Sequence, residues 1–278
     1  LRDVSGDRAA LEQRLQLVRE QGAPNYFGEQ RFGRGGAGLE QARRWALTGG
    51  RRLTRARRGL HLSALRAFLF NTVLAERVAA GSWNIFVPAL RRDSTGTTWE
   101  NGPTPGTSVP LSRFFVAKPS TSVRTMNEQL ERGKHLLLTP GVYDVARTIE
   151  VERANTVVLG LGLPSLSAQR GALVLDVADV PGVDIAGVMV DAGPVNSKLL
   201  VRIGSREDKA RRAGTPVALQ DVFVRIGGPQ VGKATVTMEV NSDDALLDNL
   251  WLWRADHGNP GTVGWTVNTA DTGLVVNG

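Results

Sequence analysis

The amino-acid sequence predicts a mixed fold, in which a short and mainly helical N-terminal segment precedes a right-handed parallel β-helix. Three observations lead to this prediction. Positive charge is concentrated at one end of the chain, alternating apolar residues occur at the other end, and an internal repeat runs through that second part. The two parts meet near residues 83–84, so we divide the chain into a helical segment (1–83), a linker and lead-in (84–113) and a β-helix (114–278).

The charge of the chain is divided unevenly between these parts. Residues 1–83 contain 15 arginines, no lysine and 7 acidic residues, a net charge of +8, whereas the remainder contains 19 basic and 20 acidic residues, a net charge of −1. An excess of one sign in one part of a chain indicates a polyanionic partner for that part. The chain has no cysteine, which excludes disulfides and thiolate metal sites, and no apolar run long enough to span a membrane.

Three helices are expected in the N-terminal segment. Apolar residues at helical spacing predict the first over residues 7–20, and a Gly-Ala-Pro sequence ends it. The second is predicted over residues 39–47, after a glycine-rich loop, and the third over residues 62–79. Because no stretch of this segment alternates apolar and polar residues, we predict it to be mainly helical.

Two motifs of this segment suit a nucleic acid. Five arginines fall within residues 51–58, and guanidinium groups bind phosphates through paired hydrogen bonds. Tyr26, Phe27 and Phe32 lie beside Arg31, a combination that can stack on an unpaired base while it holds the backbone. Taken alone, the arginine run fits a solvated loop equally well, and a packed aromatic loop is the commoner use of the second motif.

Residues 24–33, PNYFGEQRFG, resemble the signature of the TruD-type tRNA pseudouridine synthases. Residues 62–71 and 74–78 are similar to a second motif of that family, so the resemblance covers about residues 8–80. It implies isomerisation of a uridine in tRNA to pseudouridine on a flipped base, without a metal or organic cofactor. The residues that would line the active site or bind RNA are Asn25, Phe27, Gln30, Arg31, Phe32, Arg51, Arg52, Arg55, Arg57 and Arg58.

The catalytic aspartate of that family belongs to a motif upstream of this region. The only aspartates before Asn25 are Asp3 and Asp7, and neither lies in such a motif. We therefore expect residues 1–83 to be a fragment that forms no pseudouridine by itself.

From residue 84 onward the character of the sequence changes. Residues 93–110 are rich in Thr, Pro and Gly and are predicted to form a polar loop or linker. Beyond Phe114, apolar and polar residues alternate between turns, which predicts strands. One short helix is expected over residues 123–132.

An internal repeat organises the second part. Four blocks share a pattern in which Val, Ile or Leu alternate with other residues and Gly, Asp or Asn occupies the fifth position. They begin at Thr156, Val183, Val217 and Ala245, with spacings of 27, 34 and 28 residues, and a weaker copy begins near Thr269. Such units are typical of stacked coils, whereas a propeller needs longer units of four strands. We predict a parallel β-helix with its apolar positions inward, and we expect its last coil to be incomplete.

Five further motifs lie at residues 115–119, 139–143, 156–162, 220–228 and 253–258. They resemble motifs of bacterial secreted β-helix proteins of the pectate-lyase-like superfamily, in the branch related to glycoside hydrolase family 55. The resemblance covers about residues 86–278. It implies a role on glycans, with a polysaccharide as partner, and it transfers no catalytic residues.

Glycoside hydrolysis needs two carboxyl groups about 5–10 Å apart. The carboxylates on turns or coil faces are Asp191, Asp243, Asp244, Asp248, Asp256 and Asp271. The densest group of functional side chains runs over residues 251–258, so Asp256 and His257, together with Asp271, are the candidate catalytic residues. Trp251, Trp253 and Trp265 are the candidate carbohydrate-stacking residues.

A structural interpretation of these residues stays open. Asp and Asn side chains can form ladders between coils, and tryptophans can fill the core of a β-helix. A single His-Asp pair is weak evidence for a metal site, so no metal and no cofactor are predicted. His61 and His135 belong to no such cluster and are expected to be structural.

Three interpretations of the whole chain follow. It is a fragment of a tRNA pseudouridine synthase joined to a carbohydrate-active or carbohydrate-binding β-helix, a secreted polysaccharide-binding or structural β-helix alone, or an artefactual or engineered chimera with no evolved combined function. The first part implies the cytoplasm and the second implies secretion, while the N-terminus lacks the apolar stretch of a signal peptide. The sequence therefore assigns no compartment and no oligomeric state.

Overall fold

The computed structural model describes residues 37–47, 61, 64–65, 83–91, 105–206 and 215–278. Helix α1 spans Ala37–Leu47, which confirms the predicted second helix. The predicted helix over 7–20 and the candidate RNA-binding residues lie outside the described residues, as does most of the helix predicted over 62–79.

An antiparallel hairpin precedes the β-helix. Strands β1 (Asn84–Pro88) and β2 (Gly106–Pro110) pair with Ile85 opposite Val109. The predicted loop over 93–110 is therefore wrong at its end, because the alternation in β2 is too short to stand out among Thr, Pro and Gly. Apolar side chains of the hairpin pack on a cluster on the outside of the first coils. This cluster consists of Leu111, Phe114, Leu137 and Val157.

Within the described residues, fourteen strands form the coils that follow. They are β3 (Phe114–Ala117), β4 (His135–Leu138), β5 (Val142–Val145), β6 (Ile149–Val151), β7 (Val157–Gly160), β8 (Ser165–Ala168), β9 (Leu175–Val177), β10 (Asp184–Asp191), β11 (Ser197–Ile203), β12 (Val217–Ile226), β13 (Lys233–Val240), β14 (Ala245–Asp248), β15 (Trp251–Arg254) and β16 (Thr269–Val276). Each strand pairs in parallel with its counterpart in the next coil, which is the arrangement of a parallel β-helix.

The strands fall into three stacks. The first stack contains β3, β4, β7, the first halves of β10 and β12, and β14. The second stack contains β5, β8, the second halves of β10 and β12, and β15. The third stack contains β6, β9, β11, β13 and β16.

The predicted repeat is the coil of this structure. Asp184 pairs with Val157 and with Ala218, and Val217 pairs with Ala245, so the strand register reproduces the spacings of 27, 34 and 28 residues between the blocks. The weaker copy near Thr269 is wrong as a member of this series. It begins β16, which pairs with β13 in the third stack.

Inward-pointing aliphatic residues form the core. The inward-facing side chains of the first stack lie in register and are almost fully buried; they include Val158, Ile185 and Leu219. Leu166 and Val190 do the same below the second stack. Removal of such side chains from water is the main source of stability, about 1.5–3 kcal/mol for each.

The fifth position of the repeat is a bend between the first and second stacks. Gly187, Asp221 and Asn249 have φ angles of 68°, 52° and 52°, a left-handed conformation that Gly, Asn and Asp adopt most readily. The Asn249 amide also donates a hydrogen bond to the Asp221 carboxylate in the coil below. The predicted Asp/Asn ladder between coils is therefore present at this bend.

Helix α2 (Val123–Glu131) lies at the start of the β-helix, as predicted for residues 123–132. Ser122 caps it by accepting a hydrogen bond from the Thr125 backbone N–H at 3.1 Å. Its buried residues, Val123, Met126 and Leu130, join the main core and cover the first coil. Within the described residues, the helices are too short or too polar to cross a bilayer.

Candidate functional site

The outer face of the second stack carries two columns of side chains. Strand register places one residue of each column on every rung, at the spacing of about 4.8 Å between neighbouring strands. The first column consists of Val142, Ser165, Met189, Phe223 and Trp251. The second consists of Asp144, Ser167, Asp191, Arg225 and Trp253. We call the first the apolar column and the second the polar column.

An ion pair lies at the centre of the polar column. Arg225 donates from Nε and Nη2 to the two carboxylate oxygens of Asp191 at 2.7 and 2.9 Å. Asp191 is buried, while the guanidinium remains partly exposed. Both oxygens of Asp191 are therefore engaged, and this sequence-predicted carboxylate anchors the arginine that faces solvent.

Two glutamine amides meet above Ser167 on the same column. Gln169 donates from Nε2 to Asp144 at 3.0 Å and to the Ser167 hydroxyl at 3.4 Å. Gln230 reaches back across two coils and donates from Nε2 to the Ser167 hydroxyl at 3.2 Å and to the Ala192 carbonyl at 3.5 Å. The side-chain carbonyls of both glutamines accept no hydrogen bond from the residues described, so they are free to accept one from a ligand hydroxyl.

Aromatic rings end both columns. Trp251 and Trp253 lie two residues apart on β15 and therefore on one face, with ring centroids 4.3 Å apart and planes inclined by 19°. Phe223, one rung below, meets Trp251 edge-on at 6.4 Å. Trp251 is 55% exposed, so this pair lies on the surface and does not fill the core.

Trp265 lies apart from this pair. It belongs to the segment 255–268, which connects β15 to β16, and it is 68% exposed. The Arg254 guanidinium lies 5.4 Å from its ring centroid, a cation–π contact. The structure thus brings together two of the three predicted stacking residues.

Asp256 and His257 lie at the start of the same connecting segment. Nδ1 of His257 is 2.6 Å from a carboxylate oxygen of Asp256, and both side chains are exposed. The hydrogen bond with His257 lowers the pKa of Asp256, which favours the carboxylate over the acid. Asp271 lies on β16 in the third stack, and the described contacts do not join it to this pair.

The family of the chain follows from its second part. A model of the LAM55 pectate lyase-like domain matches residues 114–278. The chain belongs to this family. Residues 114–278, which we now call the LAM55 domain, include the whole outer face of the second stack.

Individual relatives match different parts of the chain. An exo-β-1,3-glucanase of Streptomyces sp. (strain SirexAA-E / ActE) is 51% identical over 196 residues, a match that covers 70% of this chain and 32% of that protein. The solved structure of sacteLam55A from Streptomyces sp. SirexAA-E matches with a TM-score of 0.66 and 52% identity, over 69% of this chain and 35% of that chain.

The N-terminal part of the chain is similar to a different family. The tRNA pseudouridine synthase D of Nitrosococcus oceani is 53% identical over 83 residues, a match that covers 30% of this chain and 23% of that protein. The chain thus spans about a third of the glucanase and about a quarter of the synthase.

Most polar residues of the outer face of the LAM55 domain could not be predicted from the sequence. Three of them, Ser167, Gln169 and Gln230, belong to none of the sequence motifs given above. Arg225 lies in the motif 220–228 but was not predicted as a site residue. The repeat could have predicted that Phe223 and Arg225 face outward, because they alternate with residues of the core. Those core residues are Val222, Val224 and Ile226. Gln230 sits in a turn and had no such signal.

Asp184 is a further residue of note that the sequence did not predict. It lies on the first stack between Val157 and Ala218, and burial raises its pKa to about 6. Within the described part of the LAM55 domain, no three His, Asp or Glu side chains are grouped to hold a metal ion.

Proposed function

We propose that the LAM55 domain binds β-1,3-glucan on the outer face of its second stack, as part of an exo-β-1,3-glucanase-like protein. One observation carries the proposal: exposed aromatic rings share one outer face with fixed polar groups that still have capacity for hydrogen bonds, three rungs away along the polar column. A sugar ring presents apolar C–H groups on its faces and hydroxyls at its edges. Aromatic side chains can contact the former while the polar column binds the latter.

The polar groups are held in place before any ligand arrives. Asp191 fixes Arg225 through two hydrogen bonds, and Ser167 is bonded by Gln169 and by Gln230. Little side-chain entropy is then lost when a sugar binds, which favours affinity. The 51% identity to a protein named as an exo-β-1,3-glucanase supports the choice of β-1,3-linked glucose.

Hydrolysis is a second part of the proposal. Asp256, which is exposed and hydrogen-bonded to His257, is the proposed general base, and Asp271 is the remaining candidate for the acid. The handedness of the fold is a third part of the proposal. Crossovers between parallel strands are right-handed in about 98% of cases, so we propose that the β-helix is right-handed.

Affinity electrophoresis of the full chain tests the binding proposal. We expect a gel that contains laminarin, a soluble β-1,3-glucan, to retard the protein, and a gel that contains a soluble β-1,4-glucan to retard it less. Trp253→Ala removes a ring of the face and should weaken the retardation by laminarin about tenfold. Val276→Ala, an exposed residue of the third stack, is the control and should change nothing. Equal migration with and without laminarin would refute the proposal.

We propose a second function, tRNA binding, for residues 1–83. Its support is the 53% identity to tRNA pseudouridine synthase D and the local net charge of +8. Filter binding of tRNA to the full chain should weaken by at least tenfold between about 50 and 200 mM salt, because phosphate contacts release counterions. Replacement of Arg57 and Arg58 by alanine should reduce that salt dependence. Absence of binding at low salt removes this function.

The interpretation as a chimera has its own test. A natural transcript that reads continuously through the codons of residues 83–84 would show that both parts are made as one protein. Two separate transcripts would support a chimera.

A further inference from the structure

A turn over residues 227–232 carries Gln230 to the polar column. Its neighbour in the next coil, the segment 255–268, occupies the same place between the second and third stacks. The equivalent connection in the coil below covers only residues 192–196. The segment 255–268, which we call the long segment, therefore has more residues than the connection requires, and several of the additional residues contact the turn.

The long segment bonds the turn on the N-terminal side of Gln230. The Gly228 N–H donates to the Thr262 carbonyl at 3.0 Å, and the Gly228 carbonyl accepts from the Asn259 N–H at 2.9 Å and from the Thr262 hydroxyl at 2.6 Å. The Asn259 side chain also donates to the Pro229 carbonyl at 2.7 Å. Two residues of the turn are thus held immediately before Gln230.

Asn268 bonds the turn on the other side of Gln230. Its side-chain oxygen accepts from the Gly232 N–H at 3.0 Å, and its amide donates to the Thr262 carbonyl at 2.9 Å and to the Ala255 carbonyl at 3.4 Å. Asn268 is fully buried, with 0% of its surface exposed. One buried amide therefore connects both ends of the long segment to the turn.

The turn and the long segment are closely packed against each other. Gly227 and Gly228 have φ angles of 101° and 94°, and a Cβ on Gly227 would overlap the side chain of Asn268. A Cβ on Gly258 would overlap the backbone of Gly228. Turn and segment are therefore in close contact at these glycines.

We propose that Asn268 is a positioning residue for glucan binding, and this proposal rests on the function proposed above. Asn268 touches no part of the outer face itself. It bonds Gly232 at one end of the turn and Thr262, which in turn bonds Gly228 at the other end. The Gln230 amide is thereby kept in contact with Ser167, and the Gln230 side-chain carbonyl stays free for a sugar hydroxyl. Loss of Asn268 releases the turn, and the binding face loses Gln230 although the residue is still present.

A double-mutant cycle on the full chain tests this proposal. Four proteins are compared, the unsubstituted chain, Asn268→Ala, Gln230→Ala and the double variant. Their affinities for a hexamer of β-1,3-linked glucose are measured by titration calorimetry. Asn241→Ala is the matched control, since Asn241 is a buried asparagine that bonds the Gly204 carbonyl in a different corner of the coil. Backbone hydrogen exchange over residues 227–232 is the second measurement.

We expect Asn268→Ala and Gln230→Ala each to weaken the affinity about tenfold, the loss of about one well-placed hydrogen bond. The double variant should bind no more weakly than Gln230→Ala, because both substitutions remove the same contact. Hydrogen exchange of residues 227–232 should accelerate in Asn268→Ala only. Asn241→Ala should bind like the unsubstituted chain.

Additive losses in the double variant, unchanged affinity of Asn268→Ala or unchanged exchange of the turn would each overturn the positioning role. A result in which the unsubstituted chain fails to bind the hexamer overturns the proposed function, and the role of Asn268 in glucan binding with it. If the unsubstituted chain binds the hexamer and Asn268→Ala binds it equally well, only the positioning role is overturned and the proposed function stands.

Discussion

The second and third stacks of this β-helix both present columns of charged residues to the outside, but they use them differently. On the third stack Glu150, Asp176, Arg202 and Glu239 follow one another in register. Arg202 donates to Asp176, and Arg206 donates to both oxygens of Glu239 at 2.9 and 2.8 Å. On this face the acids at the centre of the column each have a guanidinium partner.

The polar column of the second stack contains one comparable ion pair, Arg225 with Asp191, and its other members are not paired charges. Its neighbours are neutral amides and hydroxyls whose acceptors are partly unused, and the column ends at Trp253. Paired charges connect neighbouring coils, whereas unused acceptors on the same face as aromatic rings stabilise nothing until a ligand binds. The same backbone geometry therefore supports a structural face and a candidate binding face.

The largest expected effect separates the ion pairs of these two faces. Arg225→Met leaves the buried Asp191 carboxylate without its partner and should lower the free energy of unfolding by about 3–5 kcal/mol. Arg202→Met leaves Asp176, which water reaches more easily, and should cost about 1 kcal/mol or less. Urea denaturation measures both values. Equal losses would show that the two ion pairs contribute equally to stability. The double variant Arg225→Met with Asp191→Leu should recover most of the stability lost in Arg225→Met.

The first stack extends the comparison to Asp184, an acid with no ion-pair partner among the residues that the structure describes. Burial raises the pKa of Asp184 to about 6, so the folded protein binds the proton more tightly than the unfolded chain. Stability contributed by this proton is present below pH 4 and is lost as the pH rises towards 6. Asp184→Asn should therefore raise the free energy of unfolding at pH 7 by about 1–2 kcal/mol, a value reduced for solvent screening, and should change little at pH 4. A constant difference between pH 4 and 7 contradicts this assignment.

A histidine beneath the hairpin should respond to pH in the opposite direction. Burial, and then the charge of Arg113, lower the pKa of His135, and its Nδ1 accepts a hydrogen bond from the Val157 N–H at 3.1 Å. The unfolded chain then binds the proton more readily, so stability is complete above the ordinary pKa of 6.5 and is lost as the pH falls below it. In the Asp184→Asn variant, which removes the opposing effect of Asp184, thermal unfolding should show a lower midpoint at pH 5 than at pH 8. His135→Asn should reduce this difference, while the exposed His257→Asn should preserve it.

The smallest effect on stability is expected at the exposed pair beside the binding face. Asp256→Asn should leave the urea midpoint unchanged, because solvent screens both members of this pair. If Asp256 is the base in hydrolysis, the same substitution should reduce the release of glucose from laminarin by at least about a hundredfold. Unchanged release would remove Asp256 from the mechanism, and Asp271→Asn then examines the remaining candidate.

Part of the candidate site could be predicted from local sequence alone. Trp251 and Trp253 lie two residues apart on a strand, so alternation places them on one face. Asp256 and His257 meet because they are consecutive in the sequence. Asp271 could not be tied to them, because its position depends on how the long segment 255–268 returns to the third stack.

The sequence by itself determined the coil. Alternating aliphatic residues, a Gly, Asp or Asn at each bend and spacings of 27, 34 and 28 residues are local properties, and the strand register repeats them. Only the tertiary structure decided which outward residues meet. Gln230 reaches Ser167 across 63 residues, and Arg225 reaches Asp191 across 34. Those distances along the chain depend on the lengths of turns, which follow no repeat, and so the polar column exists only once the coils are stacked.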